Sequence, residues 1–154
     1  MKYARQILIS LIATFACSLS LFAAAENPIV KLETSEGDIT VLLFANRSPK
    51  TVENFLSHVD ERFYENTVFH RIIEGFMVQG GGFDVDLKQR KTERSVVNES
   101  KNRVHNDRGR LAMARTSDPD SAGSQFFINH RNNPSLDWTP FKAGYTVFGE
   151  VISG

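Results

Sequence analysis

The chain has 154 residues, and 18 Lys and Arg balance 18 Asp and Glu, so its formal net charge is zero. That balance excludes a protein drawn to nucleic acid or to an anionic membrane by charge alone. Twelve Phe in so short a chain imply an aromatic-rich core, an aromatic-lined groove, or both.

The first 25 residues read as an export signal. Lys2 and Arg5 form a basic start, Ile7 to Phe22 is an uncharged apolar run, and Ala23-Ala24-Ala25 offers a small-residue cleavage site before Glu26. An uncleaved anchor is the competing reading, since about twenty apolar residues can span a bilayer. The alanine ending and the polar Ser10, Thr14, Ser18 and Ser20 argue against it. A lipoprotein reading of Cys17 is weaker, because Phe15 is bulky where such sites prefer small residues. The expectation is a periplasmic or secreted protein with one mature domain, residues 26–154, and no membrane association once the signal is removed. Cleavage also removes the only cysteine, leaving no disulfide and no thiol nucleophile.

Pro28 to Thr34 and Asp38 to Phe44 read as two strands joined through Ser35-Glu36-Gly37, whose glycine can take the positive φ of a tight hairpin. Ser48 before Pro49 is an N-cap followed by Pro at the first helical position. Val52, Phe55, Leu56 and Val59 then recur at helical spacing, which predicts an amphipathic helix over 49–60. Short strand-like runs follow at 68–73, 76–79, 111–115, 125–129 and 146–152, and the polar stretch 84–107 reads as loops around one short strand, 95–97. Many short strands with one helix favour a closed antiparallel barrel over an open α/β sheet.

Two segments stand out: Phe69-His70-Arg71-Ile72-Ile73-Glu74-Gly75-Phe76-Met77-Val78-Gln79-Gly80-Gly81 and Ser124-Gln125-Phe126-Phe127-Ile128-Asn129. Strand alternation puts Gln125 and Phe127 on one face and Phe126 and Ile128 on the other. The second pair reads as core, and the first, a ring beside an amide, as a recognition surface. Alternation also places Arg71 on a face with Phe69 and Ile73; taken alone, such an arginine reads as a solvated charge with its stem on the barrel. His58, His70, His105 and His130 are too scattered to form a metal site. Gly80-Gly81-Gly82 lacks the Lys-Ser/Thr and helix start of a phosphate loop and reads as a bend or a close approach of backbone.

In order, spacing and residue type these segments, with Gly109 to Arg115 between them and Phe148-Gly149 after, resemble the cyclophilin family from about Ile29 to Gly154. The resemblance implies a mainly β, eight-stranded closed barrel with the 49–60 helix capping it, and prolyl cis/trans isomerase activity without metal or cofactor. Its implied partners are proline-containing unfolded or exported polypeptides. Arg71 would be the catalytic arginine, His70 its neighbour on the groove wall, and Gln79 a hydrogen-bonding partner of substrate backbone. Phe76, Met77, Phe127 and Leu136 would line the proline pocket, with Gln125 and Tyr145 beside them. Ala114 and Arg115 would form the rim, contributing main-chain hydrogen bonds.

Three positions depart from the family pattern. Ser135 stands before Leu136-Asp137 where many eukaryotic members have a Trp associated with tight cyclosporin binding, so weak binding of that drug is expected; Trp138 lies nearby in a different register. Tyr145 replaces a frequent groove histidine and keeps an aromatic wall with a polar tip. Gly154 comes before the helix and final strand that usually close the barrel, which predicts an unpaired strand edge and a partly uncovered core. A non-catalytic peptide-binding or holdase module on the same barrel therefore stands beside the isomerase, as does an inactive fragment associating through its open edge.

Overall fold

The computed structural model describes residues 27–154; the export signal expected at 1–25 lies outside the described residues. Strand β1, Ile29–Thr34, turns through Ser35 and Glu36 into β2, Gly37–Leu43, in antiparallel register with Thr34 opposite Gly37. Gly37 takes φ +125°, the conformation for which the hairpin needs glycine.

Helix α1 spans Pro49–Asp60, as its periodicity predicts. Ser48 is the N-cap residue, but its hydroxyl donates to the Val147 carbonyl at 2.8 Å instead of capping the helix. The orphan amides of Lys50 and Thr51 are taken by the Glu99 carboxylate, at 3.2 and 2.8 Å. A negative group delivered from 48 residues away thus serves the positive end of the helix. The buried face is also rotated from expectation: Val59 is exposed, while His58 is buried. His58 donates through Nδ1 to the Asn54 carbonyl at 2.7 Å and its Nε2 meets the Thr92 hydroxyl at 3.0 Å. Satisfying both nitrogens is what permits an imidazole there.

Five more strands follow: β3 Arg71–Ile73, β4 Met77–Gly80, β5 Arg110–Met113, β6 Phe126–Asn129 and β7 Val147–Ser153. All pair antiparallel in one curled sheet of order β1-β2-β7-β5-β6-β4-β3. The expected strand at 95–97 is reduced to one bridge, Val96 with Ala122. The mainly β architecture with one covering helix is as expected. The open edge is also as expected: among the described residues the ladder ends at β1 and β3, making a half-barrel. Ile29 on one edge is 62% exposed and Ile72 on the other 69%.

The two faces of the sheet carry different clusters. Val41, Leu43, Leu111, Met113, Phe126 and Phe148 fill the concave side beneath Val52 and Phe55 of α1. Met77, Ala112, Phe127 and Val147 pack on the convex side with Phe76, Leu136 and Tyr145 around them. A bulge between β5 and β7, with Leu111 opposite Gly149 and Ala112 opposite Val147, makes Phe148 the extra residue. Alternation sends the neighbouring Val147 and Phe148 to opposite clusters, and the insertion keeps Val147 beside Ala112 of its own cluster.

Candidate active site on the convex face

Direct pairing across four strands sets the site. Arg71 of β3 lies opposite Gln79 of β4, Gln79 opposite Phe127 of β6, and Phe127 opposite Ala112 of β5. Directly opposed residues point to the same side, so a guanidinium, an amide and an aromatic ring form one row. Arg71 Nη1 donates to Gln79 Oε1 at 3.3 Å, and Gln79 Nε2 donates to Gln125 Oε1 at 2.9 Å. Arg71 is exposed, and among the described residues this is its only hydrogen bond to another side chain, so most of its five donors are unused there.

Beyond Gln79 the row becomes apolar. Met77 and Phe127 are 2% and 4% exposed, which makes them a floor and not the open recognition surface that alternation suggested. Tyr145 stands against Phe127 edge to face, with centroids 5.7 Å apart. Arg115 stacks its guanidinium over the outer side of Tyr145 at 4.5 Å and donates to the Ala143 carbonyl at 2.8 Å. Beside the amides of Gln79 and Gln125 opens a cavity of about 390 Å³, lined also by Thr92, Arg94, Ala114 and Arg115.

The family model for "cyclophilin type peptidyl-prolyl cis-trans isomerase/CLD" matches residues 29–154, all of the described sheet. The chain belongs to this family. It is 48% identical to the "peptidyl-prolyl cis-trans isomerase" of Acinetobacter baylyi over 131 residues, covering 85% of this chain and 70% of that protein. It is 47% identical to "peptidyl-prolyl cis-trans isomerase B" of Escherichia coli over 129 residues, covering 82% and 79% of the two. A Cryptosporidium parvum cyclophilin, crystallised in the presence of the dipeptide Ala-Pro, superimposes with a TM-score of 0.68 at 34% identity, over 82% of this chain and 80% of that one.

Within this cyclophilin, the residues singled out from sequence separate into three groups. Arg71, Gln79, Gln125, Phe127, Met77 and Tyr145 come together as one continuous surface. Ala114 and Arg115 lie on its rim, but the Ala114 amide is already committed to the Gln125 carbonyl at 2.9 Å. His70 does not join the donor row: its ring lies on Phe83, with centroids 4.3 Å apart, and its Nδ1 is buried without a partner. Burial, aided by the neighbouring Arg71 charge, holds the His70 imidazole below its ordinary pKa, so it serves as a neutral packing group.

The glycine run works through close approach. A side chain on Gly80 would meet the Phe69 ring at 2.8 Å, one on Gly81 the Tyr64 ring at 2.9 Å, and one on Gly82 the Gln125 side chain at 2.3 Å. Three aromatic and amide groups are seated on bare backbone, and the last of them is a member of the donor row.

Sequence reasoning missed the scaffold under the pocket, three asparagines almost without exposure: Asn106, Asn129 and Asn133. Asn133 Nδ2 donates to the Phe76 carbonyl at 2.9 Å and to Asn129 Oδ1 at 2.8 Å. Asn129 Nδ2 donates to the Arg110 carbonyl at 3.1 Å. The Asn106 carbonyl accepts from the Asn133 amide at 2.8 Å, and the Asn133 carbonyl from the Leu136 amide at 2.9 Å. Pocket walls Phe76 and Leu136 are thus hung on one amide ladder. Asn132-Asn133-Pro134 reads as a polar loop, and no local signal separates the buried Asn133 from its exposed neighbour.

An ion pair braces the same loop. Asp137, next to Leu136, accepts from the Asn106 amide at 2.7 Å through Oδ1 and meets His105 Nδ1 at 2.8 Å through Oδ2. Burial would raise the Asp137 carboxyl, but the bonds from Asn106 and His105 outweigh it and hold its pKa below the ordinary carboxylate value. The hydrogen bond to Asp137, then its charge, raises the His105 imidazole above 6.5. A raised histidine contributes stability that is complete below pH 6.5 and is lost as pH rises through the folded value. The stability difference between wild type and His105→Asn, from urea midpoints, is therefore expected to be larger at pH 5.5 than at pH 9. A difference independent of pH would remove the ion pair from the account.

Proposed function

We propose that this cyclophilin accelerates rotation about X-Pro bonds in exported polypeptides, in the periplasm or outside the cell, with Arg71 as the group that recognises the twisted bond. Rotation breaks amide conjugation at a barrier of about 18–20 kcal/mol, so uncatalysed X-Pro bonds turn over in tens to hundreds of seconds. In the twisted state the imide nitrogen becomes pyramidal and its lone pair accepts a hydrogen bond. A guanidinium aimed there binds that state better than either planar isomer.

The observation that carries this reading is the single row in which free donors of Arg71 adjoin the Gln79 amide and the Phe127 floor. Proline sits on the ring cluster, Gln79 holds backbone on one side of the bond, and Arg71 faces the nitrogen. A charge-assisted hydrogen bond contributes about 1.5–3 kcal/mol, while bringing a hundred-second process to milliseconds requires about 7 kcal/mol. The pocket supplies the difference by excluding water from the more polar planar amide and by gripping the ring while the preceding carbonyl swings. No step needs a nucleophile, a metal or a cofactor. His70 acts here only by packing on Phe83.

A coupled prolyl-isomerisation assay on the purified chain tests the activity; binding of proline peptides without turnover would favour the holdase reading. The export part rests on Lys2, Arg5, the apolar run and Ala23-Ala24-Ala25. Cell fractionation with N-terminal mass analysis should find the chain outside the cytoplasm and beginning at Glu26. Cyclosporin, tested in the same isomerase assay, is expected to inhibit only weakly. Ser135 leaves the position before Leu136 without a ring, and Trp138 is engaged beneath Lys101, whose Nζ lies 5.7 Å from its centroid. A nanomolar inhibition constant would contradict that.

A further inference from the structure

The loop that leaves the proline pocket holds an aromatic ring in water. The Tyr145 amide donates to the Leu136 carbonyl at 2.8 Å, closing the base of the loop between two pocket residues. Thr139 and Lys142 then pair through both backbone bonds, at 3.0 and 3.1 Å, around Pro140 and Phe141. Phe141, at the tip, is 98% exposed, the most exposed of the large apolar side chains among the described residues.

This arm is braced, not loose. Arg115 donates to the Ala143 carbonyl at 2.8 Å, Asn98 Nδ2 to the Gly144 carbonyl at 3.0 Å, and the Gly144 amide to Ser100 Oγ at 3.1 Å. Gly144 lies so close to the opposite strand of the arm that a Cβ would meet the Trp138 nitrogen at 2.4 Å. Proline at the turn further restricts the tip. A preorganised element presenting a large ring to solvent loses little order when something lands on it.

We propose that Phe141 is a contact for an apolar side chain of the bound polypeptide, three to four residues from the proline. The inference rests on the isomerase site described above. Its argument is continuity with that site: the base of the arm, Leu136 and Tyr145, is the pocket wall, and the ring stands at the far end. Bridge and base are three positions apart on each side of the arm, about 10 Å at extended rise. An extended substrate leaving the pocket along the arm covers the same distance in three residues, and the tip adds one more. Unfolded chains, which expose apolar side chains beside their prolines, are the substrates such a contact selects.

The test uses Trp138, the only tryptophan in the chain, whose emission reports peptide binding at the root of the arm. Decapeptides with one central Ala-Pro and either Leu or Ser at three and four residues from the proline, before it in one set and after it in another, are titrated into wild type, Phe141→Ala and Phe141→Leu. For wild type, Leu peptides of one set should bind about fivefold to tenfold tighter than their Ser partners. Phe141→Ala should erase that ratio and Phe141→Leu should keep most of it. Equal affinities in wild type, or a Leu preference that survives in Phe141→Ala, would overturn the contact. Because these are binding constants, absent turnover of a short Ala-Pro peptide by wild type would count against the isomerase reading alone.

Discussion

Arg71→Ala is expected to lower kcat/KM for an X-Pro peptide by about 10²–10³, the usual cost of removing one donor aimed at transition-state charge. Arg71 is exposed on an edge strand and its one side-chain partner is Gln79, so the folded spectrum and urea midpoint should stay close to wild type. The loss should fall on kcat more than on KM, since the lone pair it meets is absent from both planar isomers. Arg71→Lys should remain poor, because an ammonium on a flexible stem reproduces neither the planar fork nor the hold on Gln79. Activity within about threefold of wild type for Arg71→Ala would remove Arg71 from the mechanism and leave the pocket to act alone.

Strand alternation made the split of Phe126 from Phe127 legible in the sequence, whereas the roles of Arg71 and Gln79 came only from the family resemblance and the scaffold from neither. Period-2 alternation in 125–129 separates Phe126 from Phe127, and the structure sends one to the concave core and the other to the convex cluster. The helix at 49–60 follows from Pro49 and a 3.6-residue repeat, both local signals. What failed was long-range. Glu99 caps a helix 48 residues away; His58 replaces Val59 on the buried face because Thr92 arrives from another loop. None of these depends on spacing within a segment, so no periodicity could show them.

Asn133 shows how much such an unseen residue carries. Asn133→Ala is expected to destabilise the fold by about 1–3 kcal/mol, because Asn129 Oδ1 loses its donor in a buried site while the Phe76 carbonyl keeps only the His130 amide, at 2.9 Å. The melting temperature should drop on the order of 10 °C. Asn132→Ala is the control: that neighbour is exposed and accepts only from the Arg108 amide, at 2.8 Å, so its loss should cost less than about 1 kcal/mol. Near-equal costs for the two variants would show that the buried ladder is no more than a surface turn. The consequence reaches the chemistry, because the Asn133 side chain ties the Phe76 carbonyl to Asn129 at the end of β4 and β6. At temperatures where Asn133→Ala is still folded, KM for proline peptides should rise. The pocket floor, Met77 and Phe127, is held by β4 and β6 and stays in place. Comparing Asn133→Ala with Arg71→Ala therefore resolves grip on the proline from recognition of the twisted bond.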